Sequence, residues 1–126
     1  MPIEYEIDRR RRLVHTRAWA DLTDEEALTH QRRLKSDSEF DPGFRQLLDF
    51  TAVEHFEITP EGIHKLASRD PWGAGARRAF VAPSDLAFGM LRMHEFLMSD
   101  ESQELSVFRS AREAWDWLGP EPEEPD

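Results

Sequence analysis

Hydrophobic and polar positions alternate at the start of the chain. Ile3, Tyr5 and Ile7 are separated by Glu4 and Glu6, the period of a half-exposed strand. Beyond the arginines at 9–12, Leu13-Val14-His15-Thr16-Arg17-Ala18-Trp19 predicts a second strand, antiparallel to the first across a short turn. Leu22-Thr23-Asp24-Glu25-Glu26-Ala27 predicts a helix entry, with Thr23 and Glu26 at capping-box spacing and Leu22 and Ala27 at staple spacing. The helix is expected to reach about Ser36, with Leu34 inward and Arg32, Arg33 and Lys35 in solvent. Residues 37–43 read as a loop closed by Pro42-Gly43.

The rest of the chain is organised around residues 44–67. Leu47, Leu48, Phe50 and Val53 crowd around the single acid Asp49, too densely for a half-solvated strand. Such a run suits a central parallel strand covered on both faces, with Asp49 near its end, bonding backbone N–H groups of the following turn. Thr59-Pro60-Glu61 marks a helix start: a hydroxyl N-cap, proline at the first helical position and an acid in the first turn. Ile63, Leu66 and Ala67 then fall on one side of that helix. Residues 69–76 break it, and residues 77–82 form a short strand. Pro83-Ser84 opens a third helix to about Met98. Leu86, Phe88, Met90, Leu91, Met93, Phe96 and Leu97 make that helix apolar around most of its girth. Residues 105–108 give a last strand. Ser110 and Glu113 are in capping-box register before a helix striped by Ala111, Ala114, Trp115 and Leu118, which Gly119 ends.

The order β-β-α-β-α-β-α-β-α predicts an α/β fold: a mostly parallel five-stranded sheet with an antiparallel first strand, four helices and right-handed crossovers. Residues 1–119 are expected to form one domain. Residues 120–126, PEPEEPD, predict a disordered, acidic, proline-rich tail.

Composition narrows the function. A chain of 126 residues, 39% hydrophobic and 33% charged, is long enough for one real core and too apolar for disorder. The formal charge is −10, which argues against nucleic-acid binding, since that needs a basic surface to neutralise phosphates. The arginines at 9–12 read as a solvated hairpin turn. No apolar run approaches a membrane span, and MPIEYEID lacks the features of a secretory signal; the expectation is a cytoplasmic protein. Zero cysteines remove disulfides, thiolate metal sites and thiol nucleophiles. The five histidines show no i, i+4 pair, so no metal site is expected. No cofactor is expected either. Gly73 and Gly75 lie between a helix and the next strand, the wrong sheet edge for a phosphate loop. No serine lies in a nucleophile elbow, and the expectation is a protein that is not an enzyme.

Asp49-Phe50-Thr51-Ala52-Val53-Glu54-His55-Phe56-Glu57-Ile58-Thr59 resembles the central signature of STAS domains, the bacterial anti-sigma-factor antagonist family. That signature runs Asp, apolar, Ser or Thr, Gly, Val, two variable positions, apolar, then D-S-S-G opening a helix. The ending Val107-Phe108-Arg109-Ser110-Ala111-Arg112-Glu113-Ala114-Trp115-Asp116-Trp117-Leu118 is similar to that of the SpoIIAA-like branch. The resemblance implies a regulatory module that binds another protein, often a kinase-type regulator, or itself as a homodimer. It also implies phosphorylation of the second serine of D-S-S-G, a position held here by Thr59. The contact edge would comprise Asp49, Glu57, Ile58, Thr59, Pro60, Glu61 and Gly62. Glu57-Ile58-Thr59-Pro60 departs from D-S-S-G in lacking its first serine and its glycine, and N-capping alone accounts for Thr59.

The β-α design also resembles the lipid-carrying CRAL-TRIO domains. That implies an alternative function: a carrier or sensor of a small apolar, lipid-like ligand. The pocket or a dimer face would then be built on Leu86, Phe88, Met90, Leu91, Met93, Phe96 and Leu97. The two functions predict different interiors, a dry core with a polar contact edge for the first and an enclosed apolar cavity for the second.

Overall fold

The computed structural model describes residues 2–73, 75–99 and 104–119; the predicted tail at 120–126 lies outside them. The elements follow the expected order: β1 (Ile3–Asp8), β2 (Leu13–Thr23), α1 (Asp24–Ser36), β3 (Arg45–Glu57), α2 (Pro60–Ser68), β4 (Arg77–Val81), α3 (Asp85–Leu97), β5 (Glu104–Phe108) and α4 (Ala111–Leu118). The strands lie side by side in chain order as one five-stranded sheet. β1 pairs antiparallel to β2, Ile3 opposite Ala18, and every other pairing is parallel.

Each helix begins where a short polar side chain takes an orphan backbone N–H. Thr23 and Glu26 form the full capping box, with the Glu26 N–H on the Thr23 hydroxyl and the Thr23 N–H on the Glu26 carboxylate. The Ser84 and Ser110 hydroxyls cap α3 and α4 by accepting the Ala87 and Glu113 N–H groups. Gly119 closes α4 with φ of 79°, a conformation that costs glycine little.

The two faces of the sheet carry separate cores. Ala27 of α1, Ile63 of α2 and Leu91 of α3 join Phe50, Phe80 and Val107 from the strands. On the other face Leu47, Ala79 and Val81 meet Ala114 and Leu118 of α4. Alternation along a strand explains the division: Leu47 and Ala79 face α4, while Gln46 and Arg78 face the other three helices. Both faces are covered, which is why residues 78–81 are all buried.

β3 is longer than its apolar run suggested. β4 pairs only with Gln46 to Asp49. Beyond that point β3 continues to Glu57 beside β2 alone, as a two-stranded ribbon with Thr51, Ala52, Glu54 and His55 exposed. Asp49 therefore lies inside the strand rather than near its end. Its Oδ1 accepts the Thr51 N–H at 2.8 Å, where pairing to β4 stops. The β2 side of the ribbon is irregular, with register shifts on either side of Ala20, whose φ is 54°. Trp72 is buried edge-on against Phe40, ring centroids 4.9 Å apart, and the Gly73 N–H donates to the Pro42 carbonyl. The segment at 70–73 and the loop at 37–43 thus close one end of the core together.

Candidate ligand-binding site

A cavity of about 70 Å³ lies between the sheet and helices α1, α2 and α3. Leu22, Phe50, Ile58, Ile63, Leu66 and Leu91 supply its apolar wall. His30 and Gln31 of α1, Gln46 of β3, Arg78 of β4 and His94 of α3 also line it. At the α1–α2 seam, Gln31 Nε2 donates to the Leu66 carbonyl at 2.9 Å.

Strand alternation turns Arg78 to the same face as Phe80, into the interior. Its guanidinium donates from Nη1 to Asp70 Oδ2 at 2.6 Å and from Nε to Gln46 Oε1 at 3.0 Å. Gln46 passes the network on, donating to the Thr16 hydroxyl at 3.4 Å. The Arg78 and Asp70 side chains are 5% and 2% exposed, so the charges are matched where water cannot reach them. Burial opposes ionisation of Asp70, but His94, Arg78 and the Trp72 N–H together hold its carboxyl below the usual carboxylate range. Burial also pulls the Arg78 guanidinium down, against the opposing effect of Asp70. Arg78 lies over the Trp72 ring, 4.9 Å from its centroid, a cation–π contact.

Two histidines complete the lining. Burial pushes His30 down to about 4, helped by the nearby Arg33 charge. Its ring meets Tyr5 edge-on at 5.4 Å. Burial likewise lowers His94, outweighing the pull of Asp70. His94 Nε2 stands 3.6 Å from Asp70 Oδ2, too far for a hydrogen bond. Both Nε2 atoms are buried without a hydrogen-bond partner.

A crystal structure of an uncharacterised DUF3478-family protein from Shewanella loihica PV-4, described as having a SpoIIAA-like fold, matches this chain with a TM-score of 0.58. The match covers 92% of this chain and 93% of that one at 21% identity. This chain has a SpoIIAA-like fold. The likeness to STAS domains read from residues 49–59 and 107–118 thus holds at the level of fold. No family model and no curated protein matches the sequence.

In the SpoIIAA-like frame, the turn at 57–62 joins β3 to α2 as expected, with Thr59 as N-cap. The Thr59 hydroxyl accepts the Gly62 N–H at 3.0 Å and donates to Asp24 of α1. Gly62 is buried, and a Cβ there would overlap the Asp24 carboxylate. Glu57, Pro60 and Glu61 are exposed, whereas Ile58 is 5% exposed and lines the cavity. Asp49 is not part of this edge, since eight strand residues put it roughly 25 Å away.

The apolar residues of α3 do not form one groove. Leu91 is buried and lines the cavity. Phe88, Met90, Met93 and Leu97 are partly buried and pack on the main core. Leu86 and Phe96 are 60% and 75% exposed. The cavity accordingly sits under all three helices rather than on α3.

Sequence reading missed Asp70, Arg78, His94, His30 and Gln46 as a group. They come from five segments with no local spacing to link them. One signal was available: an arginine flanking Ala79-Phe80-Val81 inside a buried strand needs an acid nearby.

A further cluster, Asp21, Glu54 and His55, stands on the ribbon with its ligand-type atoms within 4.8 Å of one another. His55 Nδ1 lies 2.6 Å from Asp21 Oδ1, and that bond raises the imidazole above its ordinary value. All three residues are exposed, and the carboxylate–imidazole pair accounts for the geometry without an ion. Among the described residues no helix is long and apolar enough to cross a membrane.

Proposed function

We propose that this SpoIIAA-like chain is a non-enzymatic binding module that takes a small, mainly apolar ligand into the cavity under α1, α2 and α3. The observation that carries this reading is the cavity itself, a mainly apolar wall with a few polar side chains among its lining residues, the usual make-up of a ligand site. Its volume of about 70 Å³ is roughly half that of an engineered cavity that admits benzene. The ligand is therefore a compact molecule. A long acyl chain would need the α1–α2 seam, closed by Gln31 and Leu66, to open.

The test is NMR of the methyl groups under xenon pressure, with native mass spectrometry of protein purified from its own host. Xenon should shift the methyl signals of Ile58, Ile63 and Leu66. Ala27→Leu, which fills the space with side chain, should abolish the response. A methyl spectrum blind to xenon, with no copurified mass, would overturn the reading.

A second reading, contact with another protein or with a second copy of this chain, is favoured by the exposed Phe96 and Leu86 of α3. Phosphorylation at Thr59 has little to support it. The hydroxyl already donates to Asp24, and a phosphate there would face that carboxylate.

A further inference from the structure

We infer that Asp21, Glu54 and His55 bind a divalent transition-metal ion, best fitted by Zn²⁺, on the ribbon made by the ends of β2 and β3. This site is separate from the cavity and independent of any ligand there.

Register comes first. Strand neighbours such as Glu54 and His55 normally point to opposite faces of a sheet, so only one of them would reach Asp21. Here Ala20 stands opposite Val53 and Asp21 opposite His55. A single step on β2 thus spans two on β3, and Glu54 is the extra residue of a bulge. Bulges re-aim side chains. This one gathers Glu54 and His55 at Asp21, with a ligand-type atom from each of the three within 4.8 Å of the others. Ala20, next to Asp21, has φ of 54°, a conformation unfavourable for a residue with a Cβ. The 34 positions between Asp21 and His55 hide the set from any reading of local spacing.

Ligand chemistry comes second. The bond from His55 Nδ1 to Asp21 Oδ1, at 2.6 Å, explains two of the three side chains. It leaves Glu54, which the bulge brings toward a carboxylate of like charge. A divalent cation accounts for all three, since an imidazole nitrogen and carboxylate oxygens are ordinary ligands of Zn²⁺. Zinc bonds of about 2.0–2.2 Å set such ligands roughly 3.4 Å apart. All three side chains are exposed, so rotamer changes alone can draw them in. The imidazole selects against Mg²⁺ and Ca²⁺, which favour all-oxygen sets. Three protein ligands leave a position open for water or for a side chain of another molecule. Asp21 and His55 also lie near the carboxyl ends of two parallel strands, the edge where open α/β sheets take ligands.

The experiment is calorimetric titration of the chelator-stripped full chain with Zn²⁺ and with Mg²⁺, at mildly alkaline pH, where imidazole is neutral. The ring ¹⁵N signals of the histidines are followed in parallel. One Zn²⁺ per chain should bind, at least about tenfold more tightly than Mg²⁺, and the His55 ring should shift most. His55→Ala and Glu54→Gln should each weaken binding by about 10–100-fold or more, the loss that even outer-shell changes cause at metal sites. His64→Ala, which removes an exposed histidine outside the cluster, should bind as wild type does. These are surface substitutions, which leave folding largely untouched.

The competing account is an imidazolium held between two carboxylates, with no ion. It predicts no Zn²⁺ uptake, and that result would overturn the site. So would a Glu54→Gln variant that binds as tightly as wild type, or an equal loss in His64→Ala. None of these results touches the xenon test of the cavity.

Discussion

The carboxylate of Asp24 takes both the backbone N–H and the hydroxyl of Thr59, at 2.7 and 2.6 Å, across 35 residues of sequence. Asp24 is the first residue of α1 and Thr59 is the N-cap of α2, so one acid ties two helix N-termini together. Both ends carry partial positive charge, which favours a carboxylate between them.

Gly62 is confined by this arrangement. Glycine to alanine inside a helix normally stabilises by about 0.5–1 kcal/mol. Here the sign should invert, because the new Cβ would overlap the Asp24 carboxylate. Gly62→Ala should destabilise by about 1–3 kcal/mol, the range for overpacking. In an Asp24→Ala background most of that cost should vanish. Urea denaturation of the four-member mutant cycle measures the coupling; equal costs in both backgrounds would refute it.

Thr59→Glu should also destabilise, by about 1–2 kcal/mol, through loss of the cap and through the new charge beside Asp24. Thr59→Ser keeps the hydroxyl and should lie within about 0.5 kcal/mol of wild type. Thermal melts of the two variants separate these outcomes. A Glu variant as stable as the Ser variant would show that Asp24 does not constrain the position.

The buried pair makes a larger prediction. Asp70→Asn leaves the Arg78 charge buried without its counter-ion and should cost about 3–5 kcal/mol. Replacing both, as Asp70→Asn with Arg78→Met, should recover much of the loss. The measurement is chemical denaturation of the wild type and the two variants. A double variant no better than Asp70→Asn alone would place the cost in packing rather than charge.

Stability should fall in acid. His30 has a folded-state value of about 4, against 6.5 for the free imidazole, and His94 is shifted the same way. For a group depressed on folding, the unfolded chain binds the proton first. Its contribution is complete above about pH 6.5 and is lost as pH falls toward 4, with His30 worth about 3 kcal/mol over that window. Asp70, also depressed, adds a further loss below the ordinary carboxylate range. Denaturation midpoints measured between pH 7.5 and 4 should drop steadily, and His30→Gln should flatten the curve. A flat wild-type curve would mean that these imidazoles reach water.

Phe96, 75% exposed on α3, separates the monomer from an assembly. Phe96→Asp should change stability by less than about 0.5 kcal/mol if the residue faces only water. If two copies meet there, the same change should convert a dimer to a monomer in sedimentation. An unchanged mass would remove Phe96 from any interface.

The sequence by itself determined the local pieces and their order. Thr23 with Glu26, Thr59 before Pro60, Ser84, and Ser110 with Glu113 each mark a helix start, because a cap is written within four residues. The alternation of Ile3, Tyr5 and Ile7 and the dense run at 47–53 named an outer and a central strand, since side-chain period reports which faces are covered. The order of those pieces predicted a mostly parallel five-stranded sheet, and the resemblance of residues 49–59 and 107–118 to STAS domains implied the SpoIIAA-like fold. The length of β3 escaped detection because residues 51–55 are mostly exposed and are held by pairing with β2.

Only the tertiary structure decided the site. Asp70 lies in a turn, Arg78 on β4 and His94 on α3, and no spacing in the chain foretells that they converge. The same holds for Asp24 and Thr59. Caps and periodicity are short-range physics, carried by neighbours in sequence. Which buried charge meets which partner, and where a cavity remains, depends on how three helices settle on one face of the sheet, and that is settled by packing across the whole domain.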